Sequence, residues 1–180
     1  MKSFCAWMLY KWLGWRKEVT VPHPKKYIIC LAPHTSNWDF VIGQLYGKAE
    51  GLRSNYLMKK EWFFWPLGAL FRRTGGIPVH REKKTSMTDT LAEMAVKAEE
   101  FRLTITPEGT RSLSPDWKKG FYFIAAKARI PILLYALDYE KRLIRCTKSI
   151  MPTGDVEREL QEIKQYFADT RARYPEKFGI

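Results

Sequence analysis

Cysteine is scarce in this chain of 180 residues, and Cys5, Cys30 and Cys146 stand far apart. No C-x-x-C pair occurs, which excludes a zinc ribbon, a dithiol redox motif and a disulfide framework, and the pattern suits a reducing compartment. Long apolar runs are missing too. The longest, 4–15 with Lys11 inside it and 62–71, fall well short of the roughly 20 residues that span a bilayer, so no segment is expected to cross one. Lys11 also divides the apolar region a secretory signal needs, and no small-residue cleavage site follows it, so this segment is expected to be mature protein. Internal repeats, low-complexity tracts and Gly/Ser linkers are absent. Acidic groups are outnumbered, 19 Asp and Glu against 31 Lys and Arg, which leaves a formal net charge of +12 at pH 7.

What is present is ordinary globular material. A chain that is 46% hydrophobic and 28% charged can bury a substantial core, and its length fits one domain over 1–180. The positive surplus sits at the front, where residues 1–60 hold 10 basic and 3 acidic groups beside four of the seven tryptophans. Such a surplus draws anions within a Debye length of about 8–10 Å: nucleic acid, an anionic bilayer surface or a phosphorylated substrate.

Hydrophobic periodicity places strands at 27–32, 55–58, 77–80, 102–106, 130–137 and 143–148. Between them lie helical patterns: one from Phe40 onward, a short apolar helix at 62–72 closed by Gly75-Gly76, and one that Ser86-x-x-Asp89 caps. Another spans 120–129, and an amphipathic helix runs from Asp155 through Val156, Leu160, Ile163, Phe167 and Tyr174 to stop near Pro175. Strands separated by helices imply an α/β fold: a single domain whose largely parallel central sheet is flanked by helices.

Ligands of such sheets bind beyond the carboxyl ends of the strands, which draws attention to Pro33-His34-Thr35-Ser36-Asn37-Trp38-Asp39. A carboxylate folding back from Asp39 onto one nitrogen of His34 fixes the tautomer and leaves the other nitrogen as a general base. Asp39 equally fits a helix-capping residue. No serine or cysteine nucleophile occupies an obvious elbow, so the proton removed would be the substrate's own. The loop Thr106-Pro107-Glu108-Gly109-Thr110-Arg111-Ser112 opens on the same edge; Gly109 permits close backbone approach and Arg111 offers a planar fork for phosphate. Arg81 follows another short strand.

In order and spacing, His34-x-x-x-x-Asp39, Gly76-x-x-x-x-Arg81, Pro107-Glu108-Gly109-Thr110-Arg111-Ser112, Lys118-Lys119-Gly120 and Ile130-Pro131-Ile132 resemble the blocks of the lysophosphatidic acid acyltransferase family of glycerolipid acyltransferases. The resemblance covers roughly 27–138. It implies that His34 takes the proton of an acceptor hydroxyl attacking an acyl thioester, with acyl-CoA or acyl-acyl-carrier protein as co-substrate and no acyl-enzyme. Asp39 would orient the imidazole, Arg81 would meet the acceptor phosphate, and Glu108, Gly109 and Arg111 would line the acceptor site. No metal or cofactor is implied. Thr106 departs from the aromatic residue usual before Pro-Glu-Gly, and Tyr135 with Leu137 give the Ile-Pro-Ile block an unusual continuation.

Such an acceptor lies in a bilayer, and the front of the chain suits one. Phe4, Trp7, Met8, Trp12 and Trp15 with Lys2, Lys11, Arg16 and Lys17 read as an aromatic-basic interfacial helix over 1–18. Trp62 and Trp65, flanked by Lys59, Lys60, Arg72 and Arg73, form a second candidate contact. The expectation is a cytoplasmic protein held peripherally on the cytoplasmic face by anionic lipid. The competing readings are a hydrolase that turns the His-Asp pair on water, and a basic lipid- or nucleic-acid-binding module without catalysis. No helix-turn-helix, RNP aromatic pattern or KH loop is evident, so no nucleic-acid partner is expected.

Overall fold

The computed structural model describes residues 2–79 and 84–180. Strands β1 (Arg16–Val19), β2 (Lys26–Ala32), β3 (Asn55–Lys59), β4 (Gly76–Val79), β5 (Phe101–Ile105), β6 (Ile132–Asp138), β7 (Leu143–Cys146) and β8 (Ser149–Ile150) form one sheet among these residues. Its order is β1-β7-β6-β2-β5-β3-β4, with β8 also paired to β6. The contacts of β2 with β5 and β6, of β3 with β4 and β5, and of β1 with β7 are parallel, while β7 and β8 run antiparallel to β6. Helices α2 (Asn37–Glu50), α3 (Leu67–Arg73), α4 (Lys84–Lys97), α5 (Gly120–Ala128) and α6 (Val156–Phe167) cover it, and α1 (Lys2–Ala6) precedes it.

Alternation along the two central strands divides the core. On one face Ile28, Cys30, Ala32, Ile132, Leu134 and Ala136 pack with Leu91, Ala95, Phe121, Ile124, Leu160 and Ile163 of α4, α5 and α6. On the other, Tyr27, Leu133, Tyr135 and Leu137 meet Ile42 and Tyr46 of α2 and Leu9 and Trp15 from the front of the chain. Every residue of β6 is buried, as expected of a strand covered on both faces. Tyr135 uses its burial for a polar link, bonding His23 Nε2 at 2.6 Å, which gives that part of the unusual continuation of the Ile-Pro-Ile block a partner.

Several boundaries correct the sequence expectation. The interfacial helix over 1–18 is shorter: α1 passes into π-helical turns Trp7–Trp12, and Gly14, at φ +69°, turns the chain into β1. β1 reads Arg-Lys-Glu-Val and carries no apolar alternation; its pairing with β7 makes it a strand. The helix expected at 62–72 begins only at Leu67, because Pro66 has no N–H to donate and stands at the helix start. Trp62 closes a short 3-10 turn from Lys60. Helix α4 starts at Lys84, so Ser86-x-x-Asp89 lies within it rather than at its cap. Helix α6 ends at Phe167, well before Pro175, and the following segment returns to the sheet edge.

Candidate active site

Three adjacent parallel strands, β6, β2 and β5, deliver the site from their carboxyl ends. After β2 the chain turns through Pro33 to Ser36 and enters α2. Ser36 is the helix N-cap: its Oγ accepts from the Trp38 N–H, and Asp39 reaches back to the Ser36 N–H, a capping box. The cap is what brings Asp39 to His34. The Thr35 and Ser36 N–H groups each donate to Asp39 Oδ2 at 2.8 Å, and that oxygen lies 3.3 Å from His34 Nδ1. The capping reading and the orienting reading of Asp39 describe one carboxylate.

The pair is sealed on one side and open on the other. Asp39 is 1% exposed, whereas the His34 side chain keeps 14%. His34 Nδ1 is close to the carboxylate without an aligned hydrogen bond, so a small ring rotation separates this contact from a full one.

From the loop after β5, Glu108 places both carboxylate oxygens on the His34 N–H, at 2.8 and 3.1 Å. This fixes the backbone that carries the imidazole. Glu108 is buried, and burial above all, with the Asp39 charge adding to it, pushes its carboxyl up to about 8 against the opposing pull of the His34 N–H. Glu108 therefore supports the backbone beneath His34, a contact that the spacing of the sequence did not reveal. Gly109 turns the loop at φ +65°, where a Cβ would stand 3.3 Å from Lys118 Cγ, and Gly109 and Arg111 remain exposed. No hydrogen bond or ion pair joins Arg111 to the pair among the described residues. Arg81 lies outside those residues.

Tyr139, which sequence reasoning missed, follows β6 and donates its hydroxyl to Asp39 Oδ1 at 2.6 Å. The available signal was topological, since Tyr139 leaves the strand neighbouring β2 at the same sheet edge. The segment after α6 closes over this corner: the Tyr174 N–H donates to Thr35 Oγ1, and the Arg173 guanidinium lies 5.2 Å from the Trp38 ring centroid and 5.8 Å from that of Tyr139. Beside them opens a cleft of about 430 Å³ lined by Trp12, Trp15, Trp38, Tyr139, Arg142 and Arg173 among others. His34 is not one of its walls; the cleft borders the pair through Trp38 and Tyr139.

Of the expected membrane contacts, Trp7, Trp12, Trp62 and Trp65 are exposed, Trp65 at 87%, but Trp15 is 5% exposed and packs edge-on against Tyr139. Trp15 thus anchors the front of the chain to the core. Among the described residues no helix is long and apolar enough to cross a membrane, and no three His, Cys, Asp or Glu side chains gather as a metal site.

The fold is thus that of an α/β protein in which a partly open imidazole stands against a buried carboxylate at the carboxyl edge of a parallel sheet. The family model described as Acyltransferase matches residues 16–137, more than half of the chain, and the protein belongs to that family. A 1-acyl-sn-glycerol-3-phosphate acyltransferase of Haemophilus influenzae is 31% identical over 135 residues, which cover 69% of this chain and 55% of that protein. The chain thus spans about half the length of that curated relative. The crystal structure of the 1-acyl-sn-glycerophosphate (LPA) acyltransferase PlsC from Thermotoga maritima shares the fold, with a TM-score of 0.59 at 16% identity over 95% of this chain and 81% of that one.

Proposed function

We propose that the protein moves a fatty acyl group from an acyl thioester, acyl-CoA or acyl-acyl-carrier protein, to the hydroxyl of a lysophosphatidate-like lipid. The observation that carries this reading is the 3.3 Å approach of His34 Nδ1 to Asp39 Oδ2 at the edge where such sheets bind ligands. With Nδ1 turned toward the carboxylate, Nε2 takes the hydroxyl proton as the oxygen attacks the thioester carbonyl. The tetrahedral intermediate then collapses, the C–S bond breaks, and the thiolate leaves with the proton returned from His34. Asp39 stabilises the imidazolium between these steps. No acyl-enzyme is involved, and no metal or cofactor is required.

Arg81 and Arg111 receive the acceptor phosphate in this proposal, the guanidinium fork matching its oxygens, and Gly109 lets it approach the loop. A Glu108 carboxyl that is mostly protonated at pH 7 adds little repulsion against that anion. The aromatic and cationic cleft beside Tyr139 falls within the usual range for a ligand pocket and suits an amphiphilic anion. The exposed Trp7, Trp12, Trp62 and Trp65 with their basic neighbours hold the protein peripherally on an anionic membrane surface, on the cytoplasmic face.

The test is incubation of the protein with labelled acyl thioesters and a panel of lyso-lipids, with products identified by mass spectrometry. Acylated lysophospholipid is expected, and His34→Ala should abolish it while leaving the thermal transition in place. Free fatty acid in place of acylated lipid would turn the assignment to hydrolysis; wild-type rates in the folded His34→Ala variant would end it.

A further inference from the structure

We propose that Tyr139 is a positioning residue for the His34–Asp39 pair: its hydroxyl decides which oxygen of Asp39 faces the imidazole and draws off part of the carboxylate's charge. The inference rests on the transferase reading and deepens it. It concerns a residue beyond the 16–137 match to the family.

The argument begins with how a buried carboxylate is satisfied. Asp39 is 1% exposed and, among the described residues, no Lys or Arg nitrogen lies within ion-pair distance of it. Its charge is met by hydrogen bonds alone. Two backbone N–H groups occupy Oδ2, the oxygen nearest His34, and the Tyr139 hydroxyl occupies Oδ1. The backbone donors hold one end of the carboxylate, and only the phenol fixes the rotation of the other. Because a phenol O–H bound to an anion is a strong, short bond, it also moderates the field that Asp39 presents to an imidazolium.

Tyr139 is itself held for this task. Its backbone N–H donates to the Arg171 carbonyl at 2.9 Å, and Trp15 packs edge-on to its ring at 5.1 Å. Burial first, and the bond to Asp39 second, push the phenol far above its ordinary range, so it stays a donor at any working pH. The other titratable or charged groups around the pair are Glu108 beneath His34, Arg173 and Tyr174 from the segment after α6, and Arg142 across the cleft. Among the described residues, none of these groups makes a hydrogen bond or ion pair with Asp39.

The experiment compares wild type, Tyr139→Phe and a chain carrying 3-fluorotyrosine at 139, reading the pH–rate profile with saturating substrates and the NMR titration of the His34 imidazole. Tyr139→Phe removes the donor and leaves more charge facing His34. The protonated ring then persists to higher pH, so the acid limb and the NMR midpoint should both move up by roughly half a pH unit, and kcat should fall about 10-fold with KM little changed. The fluorinated phenol, a stronger donor of nearly the same size, should move both midpoints down. His23, which is bonded to Tyr135 instead, serves as the internal control. Unmoved His34 midpoints in either folded protein, or movement in the same direction in both, would overturn the proposal. The NMR readout needs no turnover, so a wild type without transferase activity would defeat the function and leave the Tyr139 test standing.

Discussion

At the scale of the residue, Glu108 shows how burial converts an acid into a support. Its carboxyl titrates near 8 in the fold, mainly through burial, against an ordinary value near 4.3 in the unfolded chain. A folded state that holds its proton more tightly than the unfolded one is favoured while that proton is on. The contribution is complete below about pH 4, declines as pH rises through the interval, and is gone above about 8. Glu108→Gln cannot ionise and so avoids this loss. Urea denaturation from pH 5 to 8.5 should therefore show the variant gaining on wild type by roughly 4 kcal/mol, and parallel stability curves would refute the buried, neutral carboxyl. Asp39 sits in the same small volume with a fuller set of donors. Asp39 receives three hydrogen bonds, whereas Glu108 receives one N–H shared between its oxygens.

At the scale of the element, the start of α2 carries both stability and chemistry. Replacing Ser36 by Ala removes the acceptor for the Trp38 N–H and should cost about 1 kcal/mol, whereas Gly should cost only a few tenths. Equal losses in urea denaturation would show that Oγ is not capping. The strand–turn–helix unit around His34 was legible in the sequence because its signals are local: an apolar run at 27–32, an Asp39 suited to a helix start, and apolar residues at helical spacing from Phe40 onward. β1 was not legible, since Arg16, Lys17 and Glu18 take strand form only by pairing with β7, more than a hundred residues away. The end of α6 misled for a related reason. Tyr174 continues the helical period of the sequence, yet its N–H is bound to Thr35, so a tertiary contact overrides local periodicity. Tyr139 escaped for want of a motif, and only the adjacency of β6 and β2 brings it to Asp39.

At the scale of the whole molecule, net charge and exposed rings make separable contributions to membrane binding. A formal charge of +12 attracts an anionic surface but is screened within a Debye length. Trp7 at 56% and Trp12 at 67% exposure instead leave on the order of 100 Å² of ring each, worth about 2 kcal/mol apiece if fully buried in a bilayer. Inward-facing Leu9 and Trp15 tie this segment to the core, and Tyr10 bonds Glu50 of α2, so the two outer rings are presented from a fixed support. Co-sedimentation should therefore resolve two components. Wild type should bind anionic vesicles more tightly than neutral ones, and rising salt should erase most of that difference. Trp7→Ala with Trp12→Ala should weaken binding to both kinds of vesicle at least 10-fold while leaving the salt slope unchanged, because no charge has been removed. A double variant that binds neutral vesicles as well as wild type would mean these rings do not enter the bilayer. The aromatic turn at Trp62 and Trp65 would then be the remaining candidate contact.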